Sequence, residues 1–178
     1  IDNPKEISKL EKSISFNIKS FKYENLNVLS NLNFNIKKGE KVALVGQSGG
    51  GKSTIADLLA RFYDVVDGEI NIDNINIKDL HIYNLRKLIS IVSQESILFN
   101  DSIYNNIKLG NRTASKEEII QAAKAANAEE FILKCENGYD TNIGNAGEKL
   151  SGGKKQRISI ARAILKNPDI LILDEATS

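Results

Sequence analysis

Methionine and tryptophan are absent from this 178-residue chain, and cysteine, histidine and proline are nearly so, with one, one and two copies. A single cysteine, Cys135, cannot form an internal disulfide. That excludes a disulfide scaffold and favours a reducing compartment. No apolar stretch approaches the roughly 18 residues of a membrane span. The opening residues show no signal-peptide pattern, so none is expected within the given sequence. Charge of one sign is lacking too: 24 Lys and Arg face 23 Asp and Glu, a net +1. Such a balance gives no electrostatic reason to expect nucleic acid as a partner. Without methionine the chain has no initiator, and it stops at Ser178, just after an apolar run and an acidic pair. Both ends are therefore expected to be cuts in a longer polypeptide.

What is present is ordinary for a globular domain: 41% hydrophobic and 26% charged residues, enough chain for one sizeable core. Asn, Ile and Lys make up 64 of the 178 residues. This bias removes weight from any single Asn or Lys that spacing does not support.

Residues 1–12 are polar and read as a linker. Ser13–Phe21 alternates, with Ile14, Phe16 and Ile18 on one side, and Val28–Ile36 alternates similarly, predicting two half-exposed strands. Lys38-Gly39 follows as a turn, and Lys41–Val45 is expected to be a short buried parallel strand. After a glycine-rich loop, Ile55, Leu58, Leu59 and Phe62 share one helical face. Asp67-Gly68 marks a turn before a strand or hairpin over Glu69–Ile77, and Leu88–Val92 reads as a buried strand. Ser115 and Glu118 form a capping box for a helix with Ile119, Ala122, Ala123 and Ala126 inward, and Ala128–Lys134 can extend it as a second helix. Ser151–Leu165 is a helix with Ile158, Ala161, Ile164 and Leu165 inward, stopped at Asn167-Pro168 before a last strand, Ile170–Leu173. Strands alternating with helices favour an α/β architecture containing a parallel sheet.

Three segments carry chemistry. Gly46-Gln47-Ser48-Gly49-Gly50-Gly51-Lys52-Ser53 fits G-x-x-x-x-G-K-[ST] between a strand-like run and an amphipathic helix. Glycines let backbone N–H groups wrap a phosphate, and the following helix adds its N-terminal dipole. Lys52 can reach the β- and γ-phosphates of a nucleoside triphosphate, and the Ser53 hydroxyl can ligate Mg²⁺. The apolar run Ile170–Leu173 ends in Asp174-Glu175. Asp174 suits the metal and Glu175 a general base for water. This strand is expected to lie buried beside the phosphate-loop strand. Leu150-Ser151-Gly152-Gly153, followed by Gln156, opens a long helix as a second anion-binding start.

Together these segments resemble the nucleotide-binding domain of an ATP-binding cassette (ABC) transporter, over essentially the whole chain. Gly46–Thr54 is similar to the family's Walker A, Ile170–Glu175 to its Walker B and Leu150–Arg157 to its signature. Gln94 resembles the Q-loop glutamine, which would approach both ATP and Mg²⁺, and Tyr23 the aromatic that stacks on adenine. The fold this implies is the P-loop NTPase ABC ATPase fold: an antiparallel β subdomain, a parallel-sheet core, and a helical subdomain at about 95–160 carrying the signature. Residues 1–12 would be the linker from a missing membrane domain and 13–178 a nucleotide-binding domain incomplete at its C-terminus.

Ala60–Asp64, Ile97–Ile103 and Asp174–Ser178 resemble the exporter branch, of the bacterial lipid or multidrug half-transporter type. The resemblance implies ATP and Mg²⁺ as cofactors, and ATP hydrolysis coupled to export at the cytoplasmic face of a membrane. Its partners would be a transmembrane domain of the same polypeptide and a second nucleotide-binding domain, in a homodimer. Two copies would meet head to tail, each ATP lying between one copy's Walker A and the other's signature. Where exporters carry Gly-Glu-Arg-Gly before the signature, this chain has Gly144-Asn145-Ala146-Gly147. In the family that segment meets the membrane domain. The family's switch histidine would lie beyond Ser178, and the fragment alone is expected to be weak or inactive. His81 sits between the phosphate loop and Gln94, cannot take the switch role, and reads as a surface residue. Cys135 reads as a small, partly buried one. The alternative is a soluble, non-transport ABC ATPase. Its DNA-repair form inserts a long coiled coil, for which the 97 residues between Lys52 and Leu150 show no heptads.

Overall fold

The computed structural model describes residues 3–174, which form two compact units divided after Ile89. In the first, β1 (Ser13–Tyr23) is central to an antiparallel sheet of order β2-β1-β3-β4, with β2 at Leu26–Lys37, β3 at Asp67–Ile72 and β4 at Ile75–Asn76. Period-two alternation puts Ile14, Phe16 and Ile18 into the core, opposite Ile72 and Ile70 of β3. Phe16 stacks on Phe34 of β2 at 4.4 Å between ring centres. Phe21 is also buried, although it lies an odd number of residues beyond Ile18. A register shift against β3, between Ile18 and Ser20, absorbs the difference.

The phosphate-loop helix α1 is Lys52–Leu59, with Ile55, Leu58 and Leu59 buried. Phe62 does not join that face as expected and is half exposed. The helix has already ended, and Arg61 takes a left-handed backbone (φ 54°) that turns the chain away. Its guanidinium holds the turn by donating to the carbonyls of Ile77, Lys78 and Leu80.

The expected buried strand at Lys41–Val45 is not formed: no described segment pairs with it, and Val42, Leu44 and Val45 are exposed. An apolar run becomes a strand only where a neighbour accepts its backbone hydrogen bonds. The hairpin over Glu69–Ile77 forms as β3 and β4, reversing at Asp73-Asn74. The short helix α2 (Ile82–Leu88), which periodicity missed, leads into β5 (Ile89–Val92) and begins at exposed His81.

Residues 5–13 are tied to the first unit. Lys5 pairs with the backbone of Asp79 and His81, and Leu10 is buried. The Asp73 carboxylate accepts the backbone N–H groups of Glu11, Lys12 and Ser13 at 2.6, 2.6 and 2.9 Å. Burial pushes its pKa up, but the donors from Glu11, Ser13 and Lys12 outweigh that and hold it below the ordinary carboxylate value. Asp73→Ala in the full-length protein should accelerate amide exchange at Glu11–Ser13 about tenfold, the loss of about 1–2 kcal/mol of charge-assisted bonding. Because the folded pKa is depressed, the wild-type protection should hold above about pH 4 and fade as pH drops through the lowered value. Equal exchange in both proteins, measured by hydrogen–deuterium mass spectrometry, would refute the clasp.

The second unit is mostly helical: α3 (Ile103–Lys108), α4 (Lys116–Ala125), α5 (Glu129–Leu133) and α6 (Gly152–Lys166). Its core gathers Ile103 and Ile107 of α3, Ile119 of α4, Ile132 of α5 and Ile158 of α6. The capping box forms as expected: Ser115 Oγ accepts the Glu118 N–H, and Glu118 accepts the Ser115 N–H. Asn127 (φ 53°) separates α4 from α5, and Asn167 (φ 50°) ends α6. Within α6, Ile158 and Ala161 are buried while Ile164 and Leu165 pack partly buried at the edge. The last strand, β6 (Ile170–Leu173), pairs with β5 in a two-stranded parallel sheet. It is not the buried strand expected. Only Ile170 is buried, Leu171 and Leu173 are exposed, and the run before the phosphate loop is no strand. Among the described residues no helix is long and apolar enough to cross a membrane.

Candidate functional site

The first unit builds a loop suited to a phosphate. Gly50 donates its N–H to the Gln47 carbonyl at 3.1 Å, closing a turn over Gln47-Ser48-Gly49-Gly50. Gly51 then caps α1 with a left-handed backbone, φ 81°. A Cβ there would stand 2.5 Å from a Leu29 methyl and 3.2 Å from the Val28 carbonyl. Glycine is required at this position by both conformation and space. No side chain caps α1, so the N–H groups of Lys52, Ser53 and Thr54 stay outside its internal ladder. Lys52 Nζ curls over the loop and donates to the carbonyls of Gly46 at 3.0 Å and Gln47 at 2.8 Å. The Ser53 side chain is exposed, whereas Thr54 is buried and its hydroxyl faces Tyr23 Oη at 3.5 Å.

Tyr23 is therefore adjacent to the loop helix. It lies edge-on to Phe21 and to Tyr63, at 5.0 and 4.9 Å between ring centres. Sequence reasoning did not anticipate that Tyr63 packs against Tyr23. It follows the end of α1 and reaches Tyr23 only through the left-handed turn at Arg61.

The second unit holds two further groups. The Asp174 N–H donates to the Val92 carbonyl at 2.9 Å, so β5 and β6 end side by side. Gln94, two residues past β5 and exposed, and Asp174, at the end of β6, thus share the carboxyl end of one sheet, where α/β folds place ligands. Glu175 lies outside the described residues. Among the described residues no three His, Cys, Asp or Glu side chains gather as a metal cage. Mg²⁺ needs none: one or two carboxylates, hydroxyl or amide oxygens, water and substrate phosphates suffice. Asp174 and Gln94 carry oxygen donors of that kind, and so, within the first unit, does Ser53.

At the start of α6, Leu150 packs against the helical core and donates its N–H to the Gly147 carbonyl. Ser151 makes no side-chain cap, and Ser151, Gly152 and Gly153 are exposed. A Cβ on Gly152 or Gly153 would meet nothing within 4 Å, so the fold leaves these two positions bare without needing glycine there. Gln156 lies one turn on, half-buried. The departure at Gly144–Gly147 is a single tight turn with Ala146 at φ 49°. Its exposed Asn145 accepts a bond from the Asn100 amide at 3.0 Å.

The ABC transporter family matches residues 29–178. The chain is 53% identical over 177 residues to the ATP-dependent lipid A-core flippase of Syntrophus aciditrophicus, covering 99% of this chain and 30% of that protein. It is 57% identical over 151 residues to a Staphylococcus aureus protein whose name assigns it to multidrug export, covering 85% and 26%. The structure of a bacterial Atm1-family ABC exporter with ATP bound superposes with a TM-score of 0.95 at 46% identity, over 99% of this chain and 31% of that one. The chain thus spans about a third or less of the length of these relatives. The chain belongs to the ABC transporter family and carries that family's ATPase domain.

Proposed function

We propose that the chain binds Mg-ATP and hydrolyses it to drive export across a membrane, from the cytoplasmic face, as the motor of a homodimeric transporter. The observation that carries this is the phosphate loop, with Gly51 left-handed against Leu29 and Val28 and Lys52 Nζ folded onto the loop's own carbonyls. An ammonium held by two neutral carbonyls gains by moving to the β- and γ-phosphates of ATP, where its partners are anionic. The N–H groups of residues 52–54 meet the same phosphates, and Tyr23, steadied by Tyr63, offers a ring to adenine. Ser53, Gln94 and Asp174 supply oxygens to Mg²⁺, which when bound neutralises charge developing on the phosphates. Glu175 polarises the attacking water. The Ser151–Gly153 helix start of a second copy covers the far side of the γ-phosphate. ATP then favours the closed dimer and hydrolysis releases it, a population shift between two states. A transmembrane domain in the same polypeptide reads that shift. The exporter names of the relatives support this reading.

The bare glycines at the start of α6 give the test. Gly153→Ala in the full-length protein should leave the melting temperature unchanged or higher, since Ala is the better helix former. The affinity of the open state for ATP should change less than twofold. ATP-dependent dimerisation and turnover should fall about tenfold, because a methyl group blocks the close approach of phosphate. Normal turnover and dimerisation in this variant would sink the head-to-tail arrangement.

A further inference from the structure

Between the segment that follows Gln94 and the helix that begins with the signature lies a polar clamp that none of the motifs includes. Asn106 of α3 is fully buried. Its amide oxygen accepts from the Phe99 N–H at 2.9 Å and from Arg162 Nη2 at 3.1 Å. Its amide nitrogen donates to the carbonyls of Phe99 and Ser102, both at 3.0 Å. Both ends of the side chain are satisfied, so neither can be exchanged cheaply.

Arg162 of α6 spends its guanidinium on the same segment. Nε donates to the Asn106 carbonyl at 2.9 Å, and Nη1 donates to the Ile97 carbonyl at 2.9 Å. The guanidinium also lies 5.8 Å from the centre of the Phe99 ring. On the same stretch of α6, Gly110 presses against the backbone, and a Cβ there would stand 2.2 Å from the Arg162 carbonyl. Arg162 is thus gripped by its side chain and by its backbone.

Ile97 lies three residues after Gln94, and Arg162 lies ten residues, about 15 Å of helix, from Gly152. We infer that Arg162, clamped by Asn106 and Gly110, is a positioning residue that fixes the signature start of α6 to the segment after Gln94, so that the two move as one piece. The inference rests on the ATPase reading above. A fixed fork of three hydrogen bonds transmits a displacement that loose apolar packing would dissipate. The hydrogen bonds described for the Arg162 guanidinium go to Asn106 and Ile97, outside the phosphate loop and the two acidic and glycine motifs. Its removal should leave binding to the Lys52 loop intact and slow the step that needs the signature in place.

The test uses the full-length transporter in lipid, with turnover counted per bound nucleotide so that misfolded protein drops out. Arg162→Ala should lower kcat tenfold or more while shifting KM for ATP less than twofold. Gln94→Ala combined with Arg162→Ala should fall no further than the more impaired single variant, because both act through one linkage. Arg162→Lys keeps the charge and stem but reaches fewer acceptors, and should lower kcat at least threefold if Arg162→Ala does not fold. Unchanged kcat in Arg162→Lys or Arg162→Ala would overturn the proposal, as would a raised KM with kcat intact or multiplicative losses in the double variant. Lys52→Ala alongside separates the two readings. Retained turnover there overturns the ATPase reading and this one together. Lost turnover there, with normal kcat at Arg162, overturns the clamp alone.

Discussion

Lys52→Ala should abolish ATP turnover by the full-length protein, with a loss of about a hundredfold or more. Removing one preorganised donor from charge that develops in a transition state costs about that much. Two features make Lys52 the residue to change. It is the only cation within the loop from Gly46 to Ser53. Its ammonium already sits over that loop, on the carbonyls of Gly46 and Gln47. The truncation is not expected to disturb the fold, because these bonds lie at the exposed surface and Ile55, Leu58 and Leu59 hold α1 in place. Nucleotide affinity, measured with a fluorescent ATP analogue, should weaken together with turnover. Lysine's competing partners are neutral and the triphosphate is not, so the lost attraction appears in binding as well as rate. If turnover and affinity both survived, ATP would be bound elsewhere.

Glu175→Gln should separate binding from hydrolysis. Glutamine preserves size and hydrogen bonding but cannot take a proton, and loss of a general base costs about a hundredfold to ten-thousandfold. ATP binding should be retained, and the closed dimer should accumulate because its exit depends on hydrolysis. The expectation follows from the position of Asp174. β6 ends beside β5, with the Asp174 N–H on the Val92 carbonyl, at the sheet end from which Gln94 also follows, and Glu175 is the next residue in the sequence. Size-exclusion chromatography with light scattering in ATP should show a dimer in the variant where the wild type reverts to the open form. Wild-type turnover in the variant would remove Glu175 as base. Lost turnover without an ATP-stabilised dimer would remove dimer release as the step that hydrolysis drives.

Much of the helical half was legible because its signals are local. The capping box at Ser115 and Glu118, the inward stripe of α4 and the stop at Asn167 each depend on residues within one or two helical turns, and all three form. The short α3 was missed, although Ser102 caps it by accepting the Asn105 N–H at 3.1 Å. Asp101-Ser102 before Ile103 was the available sign, but six residues are too few for a periodic stripe to stand out.

The failures share one cause. Lys41–Val45 and Ile170–Leu173 have nearly the same apolar character, yet only the second is a strand, because β5 lies beside it. Phe62 has the right spacing for the face of α1, but the left-handed turn at Arg61 takes it out. Tyr63 reaches Tyr23 through that same turn.

By itself, then, the sequence determined the family, the phosphate loop, the two acidic and glycine motifs and the caps of the longer helices. These are encoded by residue type at short fixed spacing, where backbone conformation and side-chain chemistry act locally. Tertiary structure alone decided which apolar runs pair as strands, which glycines the fold requires and which it leaves bare, and that Asn106 and Arg162 meet across 56 residues of chain. Those outcomes depend on neighbours distant in sequence, since a hydrogen bond, a close backbone approach or a buried polar group is settled only when its partner is in place.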